Sequence, residues 1–169
     1  MSESPFNGYW KLDYELCQQW DFAKNAWIPD LVDREDLRLW IKDDIYDWDM
    51  WVGTDPAYRM VHTSVIDGGW APYMCRDIVT STPQSESDRP DERAHINLPK
   101  FVAGQPTAYI KIVKINETFM YRISKSLDGK PSYVLTTEVI DDGERIEGWL
   151  MTPGGQVLYH RVLRRSTEF

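Results

Sequence analysis

From Thr107 onward, apolar and polar positions alternate through five consecutive runs: TAYIKIVKI, TFMYRISKS, SYVLTTEVI, ERIEGWLMT and QVLYHRVLRR. Alternation of this kind, rich in Val, Ile, Thr and Tyr, marks half-buried β-strands. The runs are separated by Asn116-Glu117, Leu127-Asp128-Gly129-Lys130, Asp141-Asp142-Gly143 and Pro153-Gly154-Gly155, short stretches that predict hairpins. Five hairpin-linked strands predict an antiparallel meander, and curling into a barrel or sandwich removes its exposed edges.

The first half continues the pattern less regularly. In FNGYWKLDYEL (6–16), Trp10, Leu12, Tyr14 and Leu16 alternate with Tyr9, Lys11, Asp13 and Glu15, as in a first strand. YDWDMWVG, AYRMVHTSVI and WAPYMCRDIVTST predict three more strands, divided by Gly53-Thr54-Asp55-Pro56 and Asp67-Gly68-Gly69. The segment REDLRLWIK supports two readings. Asp33 can cap a short helix with Leu37, Trp40 and Ile41 on one face, whereas Leu37, Leu39 and Ile41 alternate as in a strand. The expectation is an all-β, mainly antiparallel barrel with a short helical element after the first strand, one domain over 1–169. A polar stretch at about 83–105 predicts a long loop, with His95-Ile96-Asn97-Leu98 and Phe101-Val102 placed to fold over the barrel mouth.

Charge and composition narrow the partners. A net charge of −8 argues against a nucleic acid or an anionic membrane. No stretch approaches the roughly 20 apolar residues of a membrane span. No apolar run follows Met1, so a cytoplasmic location is expected, with Cys17 and Cys75 as reduced thiols. His62, His95 and His160 lack zinc-site spacing, and no phosphate loop or dinucleotide fingerprint occurs, so neither metal nor cofactor is expected. Seven of the eight Trp fall in the first 70 residues, divided between core packing and the lining of a cavity for an apolar ligand.

Phe6-Asn7-Gly8-Tyr9-Trp10-Lys11-Leu12 resembles the opening strand of the intracellular lipid-binding proteins, within the calycin superfamily. Asp128-Gly129-Lys130, Val139-Ile140-Asp141-Asp142-Gly143 and Val157-Leu158-Tyr159-His160-Arg161 are similar to that family's last strands. The resemblance implies a lipocalin-like barrel with Tyr159 and Arg161 inside, Arg161 gripping a carboxylate; Leu163 stands where the family has its tyrosine. The middle segment, Tyr58-Arg59-Met60-Val61-His62, then Gly69-Trp70 and Asp77-Ile78-Val79, is similar to a succession in phenolic acid decarboxylases. That likeness implies an inward Arg59.

An inward Arg59 needs a carboxylate, from Asp13, Glu15 or a ligand. His62 falls on the opposite strand face and suits proton transfer if it meets a cavity. Arg161 holds either a ligand carboxylate or enolate, or an interior acid such as Glu138. The resulting expectation is a cofactor-independent lyase, isomerase or cyclase acting on a hydrophobic carboxylated or phenolic small molecule. Arg59, His62, Tyr73, Tyr159 and Arg161 are its candidate catalytic residues, and Trp10, Trp51, Trp70, Tyr121 and Trp149 its candidate ligand contacts. The alternative is a non-catalytic carrier or sensor of an apolar molecule.

Overall fold

A computed structural model describes residues 3–81 and 100–169, and twelve strands run through them. They are β1 (Gly8–Leu12), β2 (Gln18–Asp21), β3 (Ala26–Pro29), β4 (Glu35–Lys42), β5 (Ile45–Val52) and β6 (Ala57–Val65). After these come β7 (Ala71–Val79), β8 (Gln105–Lys114), β9 (Phe119–Lys125), β10 (Pro131–Ile140), β11 (Arg145–Met151) and β12 (Val157–Ser166). Ten of them, β1 and β4 through β12, form an antiparallel closed barrel; β1 pairs with β4 on one side and β12 on the other. The five-strand meander and the three middle strands read from the alternation are all present. Most of the polar stretch expected at 83–105, residues 82–99, lies outside the described residues.

The expected helix after the first strand is instead β4. Glu35, Leu37 and Leu39 point inward and are 5 %, 1 % and 0 % exposed, while Asp36, Arg38 and Trp40 alternate outward. Ladders to β1 and β5 hold this segment on both edges, and tertiary pairing overrides the local helix pattern. A single 3-10 turn at Asp141–Gly143 is the sole helical element among the described residues.

The expected first strand is also shorter than 6–16. β1 ends at Leu12, and the chain turns through 13–17, with Leu16 N–H donating to the Asp13 carbonyl at 3.2 Å. It then returns along the other end of β12 as β2, pairing Gln19 with Tyr159 and Gln18 with His160. At the break, Cys17 Sγ takes the place of a backbone partner: Val162 N–H donates to it at 3.2 Å. β2 and β3 form a hairpin that extends the wall at that end.

One end of the barrel is packed shut around Trp10, whose Nε1–H donates to the Phe6 carbonyl at 3.0 Å. Arg165 clamps this end. Its guanidinium donates to the carbonyls of Gly143 (2.7 Å), Asn7 (2.8 Å) and Pro5 (3.0 Å) and lies 4.3 Å from the Trp10 ring centre. The other end opens into a cavity.

Candidate ligand-binding site

Inward side chains on β4, β5 and β6 stack in rows set by the register: Glu35–Val52–Tyr58, then Leu37–Met50–Met60, then Leu39–Trp48–His62. The first two rows, with Trp48, form one wall of a cavity of about 150 Å³. This is roughly ten times the space that one water needs. The remaining wall comes from Tyr73, Phe101, Arg122, Tyr133 and inward positions of β10, β11 and β12, including Leu135, Leu150 and Tyr159. Gly148 leaves room here: a Cβ built on it meets the Thr136 carbonyl at 3.2 Å.

Arg122 is the central polar group of this wall. It sits on β9 and is 3 % exposed; its Nε and Nη2 have no hydrogen-bond partner among the described residues. Aromatic rings surround the guanidinium, with Tyr73, Trp48 and Tyr133 centred 4.3, 4.7 and 5.9 Å from Cζ. An arginine stays charged at any ordinary pH, so this is a cation held by ring faces and the Tyr73 hydroxyl, with no salt bridge to a carboxylate among the described residues. Burial pushes the Tyr73 phenol up to about 12, with the Arg122 charge pulling it back. Both groups therefore enter any encounter with a ligand as hydrogen-bond donors.

The second polar group is the Arg161 cluster. Arg161 Nε donates to Asp30 at 2.9 Å and Nη1 to Glu35 at 2.6 Å, while Cζ lies 4.8 Å from the Tyr159 ring centre. The interior acids are thus Asp30 and Glu35, in place of the expected Glu138. Burial raises the Glu35 pKa; Arg161 opposes the shift and Asp30 adds to it. Arg161 is thus engaged by two carboxyl groups, and the Arg122 charge also reaches Glu35.

Tyr73, Tyr159 and Arg161, expected from the sequence as site residues, all line the cavity. Arg59 faces outward instead. It forms a two-pronged pair with Asp49, 3.0 and 2.7 Å, and its acid is neither Asp13 nor Glu15. His62 is buried below the cavity. Its Nδ1–H donates to the Pro72 carbonyl at 3.0 Å, and Ser64 Oγ–H donates to its Nε2 at 2.9 Å. Burial, followed by the nearby Arg122 charge, lowers its pKa to about 4, so it is a neutral imidazole with both nitrogens engaged.

The five aromatic candidates lie outside the cavity wall. Trp10 packs the closed end. Trp51 faces outward beneath Arg34 and Arg59. Trp70 is 42 % exposed under Lys125. Tyr121 meets Phe119 on the outer face, and Trp149 stacks on His160 at 3.9 Å, also outside. Strand parity is the reason: Trp51 and Tyr121 each sit one residue from an inward position, and the wall's aromatics are Trp48, Tyr58, Tyr73, Phe101, Tyr133 and Tyr159. Trp48 was legible from the alternation Tyr46–Trp48–Met50–Val52. Arg122 was not, because its outward neighbours Phe119, Tyr121 and Ile123 are the more apolar set on β9.

Among the described residues, no group of three or more His, Cys, Asp or Glu side chains is arranged to hold a metal ion. No helix among them is long and apolar enough to cross a membrane.

No known family model and no curated protein matches the chain. Among solved structures, a protein named REP1-NXSQ fatty acid transporter superposes with a TM-score of 0.54 at 13 % identity, over 96 % of this chain and 97 % of that one. At this identity the likeness is one of fold, an antiparallel β-barrel.

Proposed function

We propose that the barrel binds a small apolar molecule carrying one anionic group, a carboxylate or phenolate, with that group directed to Arg122. The observation that carries this reading is the buried guanidinium, without a salt-bridge partner among the described residues, in the wall of an otherwise largely apolar cavity. A buried cation is costly unless a counter-charge and hydrogen bonds compensate it, and a ligand anion would provide both. Ring faces recover only part of that cost. The fatty acid transporter with the same fold supports the ligand class.

Titration calorimetry with octanoate and with octanol tests the reading. Octanoate is expected to bind more tightly than octanol, and Arg122→Met to cost it roughly tenfold to a hundredfold in affinity, the range of a hydrogen bond to a charged group. Equal affinity for both ligands, unchanged by Arg122→Met, would refute it.

One observation favours a second reading, a cofactor-free lyase, isomerase or cyclase on the same ligand class. Glu35 is a buried carboxyl with a raised pKa on the cavity wall, beside Arg161 and near Tyr159, a setting suited to proton transfer. Ligand recovered chemically unchanged after prolonged incubation would leave the carrier reading; a product lost in Glu35→Gln would establish the enzyme.

A further inference from the structure

Besides Arg122 and the Trp48 indole nitrogen beside it, the cavity wall holds one more polar side chain without a partner among the described residues, on a different row of the wall. Tyr58 is 1 % exposed and its Oη has no hydrogen-bond partner, although buried phenols almost always find one. It belongs to the Glu35–Val52–Tyr58 row, whereas Arg122 lies against Trp48, two rows away. Four residues of strand separate those rows, about 13 Å along the barrel wall. The row between them, Leu37–Met50–Met60, is wholly apolar.

Glu35 shares the Tyr58 row, two strands away across Val52, and is joined there to the Arg161 cluster. Arg161 is already engaged by Asp30 and Glu35, so this end offers no open cation to a second anion. It favours a neutral group that donates to a carboxylate oxygen and accepts from a phenol. A hydroxyl has that combination, and an alkyl terminus or a carboxylate does not.

We propose that the ligand is an apolar hydroxy acid whose hydroxyl, at the end remote from Arg122, sits between Tyr58 Oη and Glu35. The placement rests on the reading of Arg122 as the anion anchor, and the apolar skeleton spans the Leu37–Met50–Met60 row. Tyr58 is then the residue that selects a hydroxylated ligand over a plain fatty acid.

Calorimetry with octanoate, ω-hydroxyoctanoate, octanol and octanediol tests this on the wild type, Tyr58→Phe and Arg122→Met. The hydroxyl is expected to tighten octanoate binding by about fivefold or more, the range of one net hydrogen bond. Tyr58→Phe should abolish that gain while holding octanoate itself within about twofold, since only an unpartnered oxygen is removed. Its melting temperature without ligand should not fall, which separates a binding role from a structural one. A hydroxyl that weakens binding, or a gain that survives Tyr58→Phe, overturns the proposal. If octanoate and octanol bind alike and Arg122→Met changes neither, the anion anchor falls. The octanol–octanediol pair then decides the hydroxyl subsite alone: a gain lost in Tyr58→Phe upholds it, and any other result overturns it. No saturable binding by any of the four removes both readings.

Discussion

Replacing Arg122 with Met should stabilise the empty protein and reduce the further stabilisation it gains from ligand. Met roughly fills the volume of the arginine stem and brings no donor of its own, although Tyr73 loses the hydrogen bond it shares with Arg122. In the wild type, Nε and Nη2 are both buried without partners, at roughly 1–3 kcal/mol for each such group. The faces of Trp48, Tyr73 and Tyr133 return about 0.5–2 kcal/mol of that. The net expectation is a gain of about 1–3 kcal/mol on substitution. For a domain of this size, that is a rise of roughly 5 °C in melting temperature. Ligand should narrow or invert the difference. At a hundredfold excess over its dissociation constant, octanoate adds about 2.7 kcal/mol to the wild type, but only about 1.4 kcal/mol to a variant that binds tenfold more weakly. Differential scanning calorimetry of both proteins, with and without octanoate, reads the two effects together. A lower melting temperature for the empty variant, with the same octanoate-induced shift in both, would show that the guanidinium serves the fold and not a ligand.

Three other outcomes are expected. Arg165→Ala removes three hydrogen bonds to backbone carbonyls and the contact with Trp10 that closes the barrel end. Urea unfolding should show a loss of about 2–4 kcal/mol. His62 takes a proton near pH 6.5 in the unfolded chain but only near about 4 in the fold. Unfolding therefore takes up a proton between these values, and stability contributed above pH 6.5 is lost as pH falls, at up to about 1.4 kcal/mol per unit. The difference in stability between wild type and His62→Gln should shrink across that window; a constant difference would contradict the burial argument. Cys17 and Cys75 are both buried, with thiols raised to about 11 by burial. Iodoacetamide should modify neither in the native protein at neutral pH and both after unfolding.

Alternation alone carried the strand content of this chain, because one face of each strand must leave water and the other must not. The meander from β8 to β12, and the strands β5 to β7, were legible on that ground, and Asp-Gly and Gly-Gly turns fixed their antiparallel order. The inward placement of Tyr159 and Arg161 came instead from the likeness of the last strand to that of the lipid-binding proteins. Alternation failed where both faces of a strand are covered or where polarity is reversed. REDLRLWIK carries apolar residues at helical and strand spacing alike, and only ladders to β1 and β5 select the strand. On β9 the apolar set Phe119, Tyr121 and Ile123 lies outside, and Met120, Arg122 and Ser124 lie inside. No local rule places a charged side chain on the inner face. Ring faces from β5, β7 and β10, distant in sequence, surround it there. Asp30 and Glu35 reach Arg161 from the opposite end of the chain by the same closure of the barrel. The sequence by itself determined that β5 to β12 are strands and that β8 to β12 follow one another as hairpins. Which residue faces the lumen, and with what partner, was decided by the closed sheet, since parity and long-range contacts exist only once β1 has met β12.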